Sequence, residues 1–119
     1  EIVTRYNVDG LQLDYIRYPF QDPNAGRIYG YGRAARQQFQ QQTGVDPLRI
    51  SPRDRAQWQR WTEFRTNQIN SFVAEVSQML RQRRSNLILS VAVFGFPEQE
   101  RIQKLQQNWE VWARRGDVD

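Results

Sequence analysis

The chain has no cysteine and no histidine among its 119 residues. Disulfide frameworks, Cys/His zinc sites, thiol nucleophiles and histidine-based triads are therefore excluded. No apolar run approaches the roughly 20 residues that a membrane-spanning helix needs, so no membrane span is expected in this segment. No block of five or six like charges occurs either. Any chemistry must rest on carboxylates, arginine, tyrosine, serine or threonine. The chain opens on Glu1 rather than an initiator methionine, and a leader upstream is compatible with that.

What is present is aromatic and basic. Fifteen aromatic residues, four of them tryptophan, accompany 39% apolar residues, enough for one packed domain and too little for two. The net charge of +4 comes almost wholly from 16 arginines. A basic balance favours polyanion partners. Here, however, the arginines are interspersed with 13 acids and 16 glutamines, so a solvated surface is expected and nucleic acid is not.

DGLQLD, residues 9–14, reads as a short strand that runs into an aromatic loop punctuated by Pro19, Pro23, Gly26, Gly30 and Gly32. Residues 33–42 suit a polar helix stopped by Gly44. Ser51-Pro52 predicts the start of a long helix reaching about Arg83. Its apolar stripe is Trp58, Trp61, Ile69, Phe72, Val73, Val76 and Leu80. LILSVAVF, residues 87–94, predicts a strand buried on both faces. A last helix is expected over 98–115, with Ile102, Leu105, Trp109 and Trp112 on one side and Gly116 as its stop.

The predicted order is strand, long loop with a short helix, long helix, strand, helix. That alternation means α/β with parallel strands and right-handed crossovers. EIVTRY leading into NVDGLQLD and EVWARR leading into GDVD look alike, Val8-Asp9 matching Val118-Asp119. This likeness predicts that residues 1–119 form a single segment, an internal slice of a repeating (β/α) domain.

Strand parity selects the first site candidate. Leu11 and Leu13 share one face and Gln12 and Asp14 the other. With the leucines under helices, Asp14 points inward at the strand's carboxyl end, where barrel active sites lie. Its alternative is a solvated strand-end or capping aspartate. Asp9, at the strand entrance, suits a turn instead. On the second strand Ser90, Ala92 and Phe94 face inward, and Phe94 suits either a pocket floor or the core. Arg65 interrupts the apolar stripe of the long helix and needs a partner there, unless it snorkels. Tyr15, Arg17, Tyr18, Phe20, Tyr29 and Tyr31 sit on the loop after Asp14. Such aromatics with arginine suit sugar stacking; they also suit base binding or a plain hydrophobic cover.

EIVTRYNVDGLQLDYIRYP, the W-x-x-W-x-x-F-R-x-x-x-I run at 58–69, LILSVAVF and LQQNWEVWARRGDVD occur in this order. Together they resemble the glycosyl-hydrolase-like domain of the family-10-like type, found in bacterial envelope proteins and lipoproteins, cyanobacterial ones among them. The resemblance implies a (β/α)8 barrel of the TIM type and hydrolysis of an O-glycosyl bond in a cell-envelope polysaccharide such as peptidoglycan glycan strands. Localisation in the envelope, periplasmic or lipid-anchored, follows from it. It implies Asp14 as catalytic residue, with Arg65 and the Trp61 region as support. Many relatives end this strand in two adjacent acids, whereas the second position here is Tyr15. Glycoside hydrolysis generally takes two carboxyls. Glu98 is a candidate for the second, although a helix-start acid also serves the helix dipole.

The expectations are therefore Asp14 as catalytic, with Tyr15, Arg17, Tyr18, Trp61, Arg65 and Phe94 binding substrate. No metal and no cofactor are expected. The partner is a polysaccharide, not nucleic acid, and the isolated slice is expected to be inactive and either to self-associate or to fold with extra mobility in residues 15–50. The alternatives are a non-catalytic glycan-binding barrel and, third, a nucleic-acid-binding domain.

Overall fold

The computed structural model describes residues 1–119. Its elements are α1 (Ile2–Arg5), β1 (Gly10–Leu13), α2 (Arg33–Thr43), α3 (Arg55–Arg83), β2 (Ile88–Val91), α4 (Glu98–Leu105) and α5 (Trp109–Arg114). Short 3-10 turns occupy Pro23–Ala25 and Pro47–Arg49.

β1 and β2 pair in parallel, with Leu11 opposite Leu89 and Gln12 opposite Ser90. Leu11, Leu13 and Leu89 pack with Val76 and Leu80 of α3 and with Val3 of α1. The leucines thus lie under the helices, as strand parity requires, and Gln12 and Asp14 take the other side. A parallel pair joined through helices is α/β architecture.

The strand LILSVAVF is shorter and less buried than predicted. The ladder ends where the Ala92 amide donates to the Leu13 carbonyl at 3.0 Å. Leu89 is buried, but Ile88 is 54% exposed, because nothing in this chain covers the face opposite the helices. Val8 and Val118 both pack against the sheet cluster. The Asp119 amide donates to the Leu89 carbonyl at 2.8 Å, while the Asp119 carboxylate accepts from the Leu89 amide at 2.8 Å.

α2 stops at Gly44, whose left-handed backbone (φ 74°) turns its N–H back to the Gln40 carbonyl. α3 starts later than Ser51-Pro52 predicts. Asp54 is its cap, accepting from the Gln57 amide at 3.3 Å, and residues 51–54 form a turn closed by the Ser51 carbonyl and the Asp54 amide.

The buried face of α3 rotates along its length. Trp61 and Phe64 pack with Phe39 of α2, whereas Leu80 packs on the sheet. Phe72 lies about three turns beyond Trp61 on the same flank. It has passed the aromatic cluster and is 49% exposed, not core as its spacing predicts.

The predicted last helix is two helices. Gln106 adopts a left-handed conformation (φ 52°) and separates α4 from α5. Two carbonyls at the end of α4 leave the helical pattern: Leu105 accepts from the Tyr18 amide at 3.0 Å and Lys104 from the Gln21 amide at 2.8 Å. The long loop after β1 caps α4 with its own backbone.

Candidate glycan site at the strand ends

Past the last rung of the ladder the two chains separate and leave a pocket of about 250 Å³. Asp14, Tyr15, Arg17, Ala92, Val93 and Phe94 line it. Four of these are sequence-predicted site residues, brought together from two strand ends.

Local chain geometry sets each side chain. Asp14 Oδ1 accepts the Tyr15 amide at 2.8 Å. Tyr15 has φ 52°, unusual for a bulky residue, and is 75% exposed. The Arg17 amide closes the turn onto the Tyr15 carbonyl at 2.8 Å. The Arg17 guanidinium then lies 5.2 Å from the Tyr15 ring centre and 5.0 Å from that of Phe94, a cation between two aromatics. Its Nη1 donates to the Tyr18 carbonyl at 3.2 Å. Neither Asp14 nor Arg17 belongs to any of the chain's ion pairs. Phe94 in turn stacks on Phe96, ring centres 5.5 Å apart.

Arg65 and Trp61 lie elsewhere. Trp61 is wholly buried, with ring centres 5.1 Å from Phe39, 5.4 Å from Tyr31 and 5.6 Å from Phe64. It is a core residue with no surface for substrate, because α2 and the loop close over it. Arg65 is also buried, between the Trp58 and Trp61 rings at 5.4 and 5.0 Å. Its Nη1 donates to the Tyr29 carbonyl at 2.8 Å and its Nη2 to Thr62 Oγ1 at 3.4 Å. The stripe arginine has found its partner on the loop, not at Asp14. Burial lowers its pKa to about 10, against the attraction of the Tyr31 and Tyr18 hydroxyls. Burial likewise raises the pKa of both tyrosines, with Arg65 opposing.

Gly30 is needed for this arrangement. It has φ 98°, and a Cβ there would stand 2.9 Å from Arg65 Cδ and 3.0 Å from Tyr18 Cε1. Tyr18 itself is half-buried and lines a shallower groove beside the pocket, with Tyr15, Ile69 and Phe72. Glu98 is exposed on the first turn of α4 and does not line the pocket, so Asp14 is the only acid that does.

Two buried residues behind the pocket escaped the sequence reading. The Gln107 side chain bonds to both strand-end loops. Arg101 donates from Nε to the Gln107 carbonyl at 2.8 Å, pairs with Glu110, and lies 4.8 Å from the Trp109 ring centre. Arg101 carried the same signal as Arg65, since it shares a helix stripe with Leu105 four residues on. No three acids converge anywhere in the chain to hold a metal, and no helix is long and apolar enough to cross a membrane.

The pocket presents the Asp14 carboxylate beside the Arg17 guanidinium, with the exposed Tyr15 ring at its rim. The sequence matches the family model for glycosyl hydrolase-like 10 over residues 1–119. No curated protein and no solved structure matches. This chain belongs to the glycosyl hydrolase-like 10 family.

Proposed function

We propose that these residues form one side of a glycosidase site that hydrolyses an O-glycosyl bond in a cell-envelope polysaccharide, with peptidoglycan glycan strands the leading substrate. The observation that carries this reading is the Asp14 carboxylate in a strand-end pocket faced by Tyr15 and Phe94. The parent domain is a (β/α)8 barrel in the cell envelope, of which these elements are an internal slice. Asp14 is the catalytic carboxyl, and Tyr15, Arg17, Phe94 and, through the adjoining groove, Tyr18 contact the sugar. Hydrolysis takes two carboxyls. Asp14 is the single acid in the pocket, so the second comes from elsewhere in the barrel and the isolated slice binds glycan without cleaving it.

In the full-length parent, Asp14→Asn is expected to lower reducing-end release from glycan strands by about 10²–10⁴-fold, the usual contribution of an acid–base group. Its melting temperature should be unchanged. Near-normal turnover by the well-folded variant rules out the assignment.

The solitary carboxylate also favours a second reading, a glycan-binding barrel without catalysis. There the wild-type parent binds strands and releases no reducing ends, and Asp14→Asn leaves that unchanged. Salt separates both from polyanion binding, which would weaken steeply between 50 and 200 mM.

A further inference from the structure

We infer that Gln107 is a positioning residue that sets the width of the strand-end pocket by standing in for the missing rung of the sheet. Its backbone is placed by the break at Gln106, a left-handed glutamine where a helix former would ordinarily continue the turn. Its side chain is buried and points between the two strand-end loops. Gln107 Oε1 accepts the Phe94 amide at 2.9 Å, and its Nε2 donates to the Ile16 carbonyl at 3.2 Å.

The ladder's last backbone bond joins Ala92 to Leu13. Two residues further on, the chains have diverged too far to meet. The primary amide there accepts from one chain and donates to the other, as a peptide group of an inserted strand would. Arg101 fixes this amide from behind through the Gln107 carbonyl, and the Trp109 indole holds the Phe94 carbonyl at 3.2 Å. Phe94 is thus held at a set distance from the segment that carries Asp14, whose Arg17 lies over the Phe94 ring.

The consequence for ligand rests on the glycan reading above; the positioning does not. The test compares Gln107→Glu and Gln107→Met with wild type in the 119-residue chain. One measurement is amide hydrogen-exchange protection at Phe94. The other is binding of peptide-free glycan strands. A carboxylate cannot donate to the Ile16 carbonyl, but a protonated carboxyl both donates and accepts, as the amide does. Burial favours the protonated form of the introduced carboxyl and the Glu110 carboxylate acts in the same direction, while the Arg101 guanidinium opposes them.

At pH 7.5 the Met variant, which has no oxygen acceptor for the Phe94 amide, should lose about tenfold in Phe94 protection, the weight of one buried hydrogen bond. The Glu variant, whose carboxylate still accepts that amide, should keep it. Both should lose about tenfold in binding. Towards pH 5 the Glu variant should regain binding and the Met variant should not. Unchanged Phe94 protection in Gln107→Met, or protection lost equally in both variants, overturns the positioning role. Protection lost in Gln107→Met and kept in Gln107→Glu, in a chain that binds no glycan even as wild type, leaves the positioning role standing and removes the glycan reading.

Discussion

The buried guanidinium of Arg65 spends its shortest hydrogen bond, 2.8 Å, on the backbone carbonyl of Tyr29, and no carboxylate is its partner. The two indole faces, Thr62 and this carbonyl replace part of the water the charge has lost, and the buried Nε is left without a hydrogen-bond partner. The bond reaches across 36 residues and anchors the loop after β1 to α3. Arg65→Ala should cost about 2–4 kcal/mol, since it removes the bond and leaves a void. Arg65→Met, which refills the void, should cost less than half of that. Denaturant midpoints with unchanged slope measure both; equal losses would mean that the bond outweighs the packing.

Tyr15 offers a separate test of local strain. Its left-handed backbone is one that side chains with a Cβ resist by roughly 1–2 kcal/mol. Tyr15→Gly and Tyr15→Ala both lose the ring beneath Arg17, so their difference isolates the backbone. The Gly variant should be the more stable by about 1 kcal/mol, and both should bind glycan more weakly than wild type. Thermal unfolding and titration with glycan strands check the two halves.

Acid stability follows from three aspartates. The Arg27 guanidinium lowers the pKa of Asp22, the Arg36 guanidinium that of Asp46, and the Leu89 amide that of Asp119. A folded pKa below the unfolded 3.8 means that the unfolded chain binds more protons between the two values. The stabilisation is therefore whole above 3.8 and is lost as pH falls through the lower folded values. Melting temperature should fall below that point, and Asp46→Asn should flatten part of the fall. A decline completed above pH 5 would contradict this.

The outer edge of β1 pairs with nothing, and Ile88 projects from the uncovered face of the sheet. Edges of this kind recruit further strands. Sedimentation across a concentration series should show self-association of the 119-residue chain, and Ile88→Lys should reduce it without loss of stability. A strict monomer at every concentration would refute it.

The parallel pair, the long helix and the pocket position of Asp14 were legible because they depend on local signals: parity at Leu11 and Leu13, stripe spacing, and glycine stops. The break at Gln106 was not. Glutamine favours helix, and what ends α4 is the pair of amides from Tyr18 and Gln21, more than 80 residues away in sequence. Gln21 Nε2 also donates to Gln106 Oε1 at 3.3 Å, a contact no spacing rule anticipates. Trp61 was read as site support because its motif is shared with the family. Its packing against Phe39 depends on how α2 folds back, which periodicity does not reveal.

The bond from Gln107 to Ile16 spans 91 of the chain's 119 residues. Closing so long a loop is entropically unfavourable until much of the fold is in place. Asp14 and its aromatic neighbours are synthesised before Gln107, yet their cleft takes its final width only after the α4–α5 joint has been made and docked. Of these two parts of the site, the one written first is finished last.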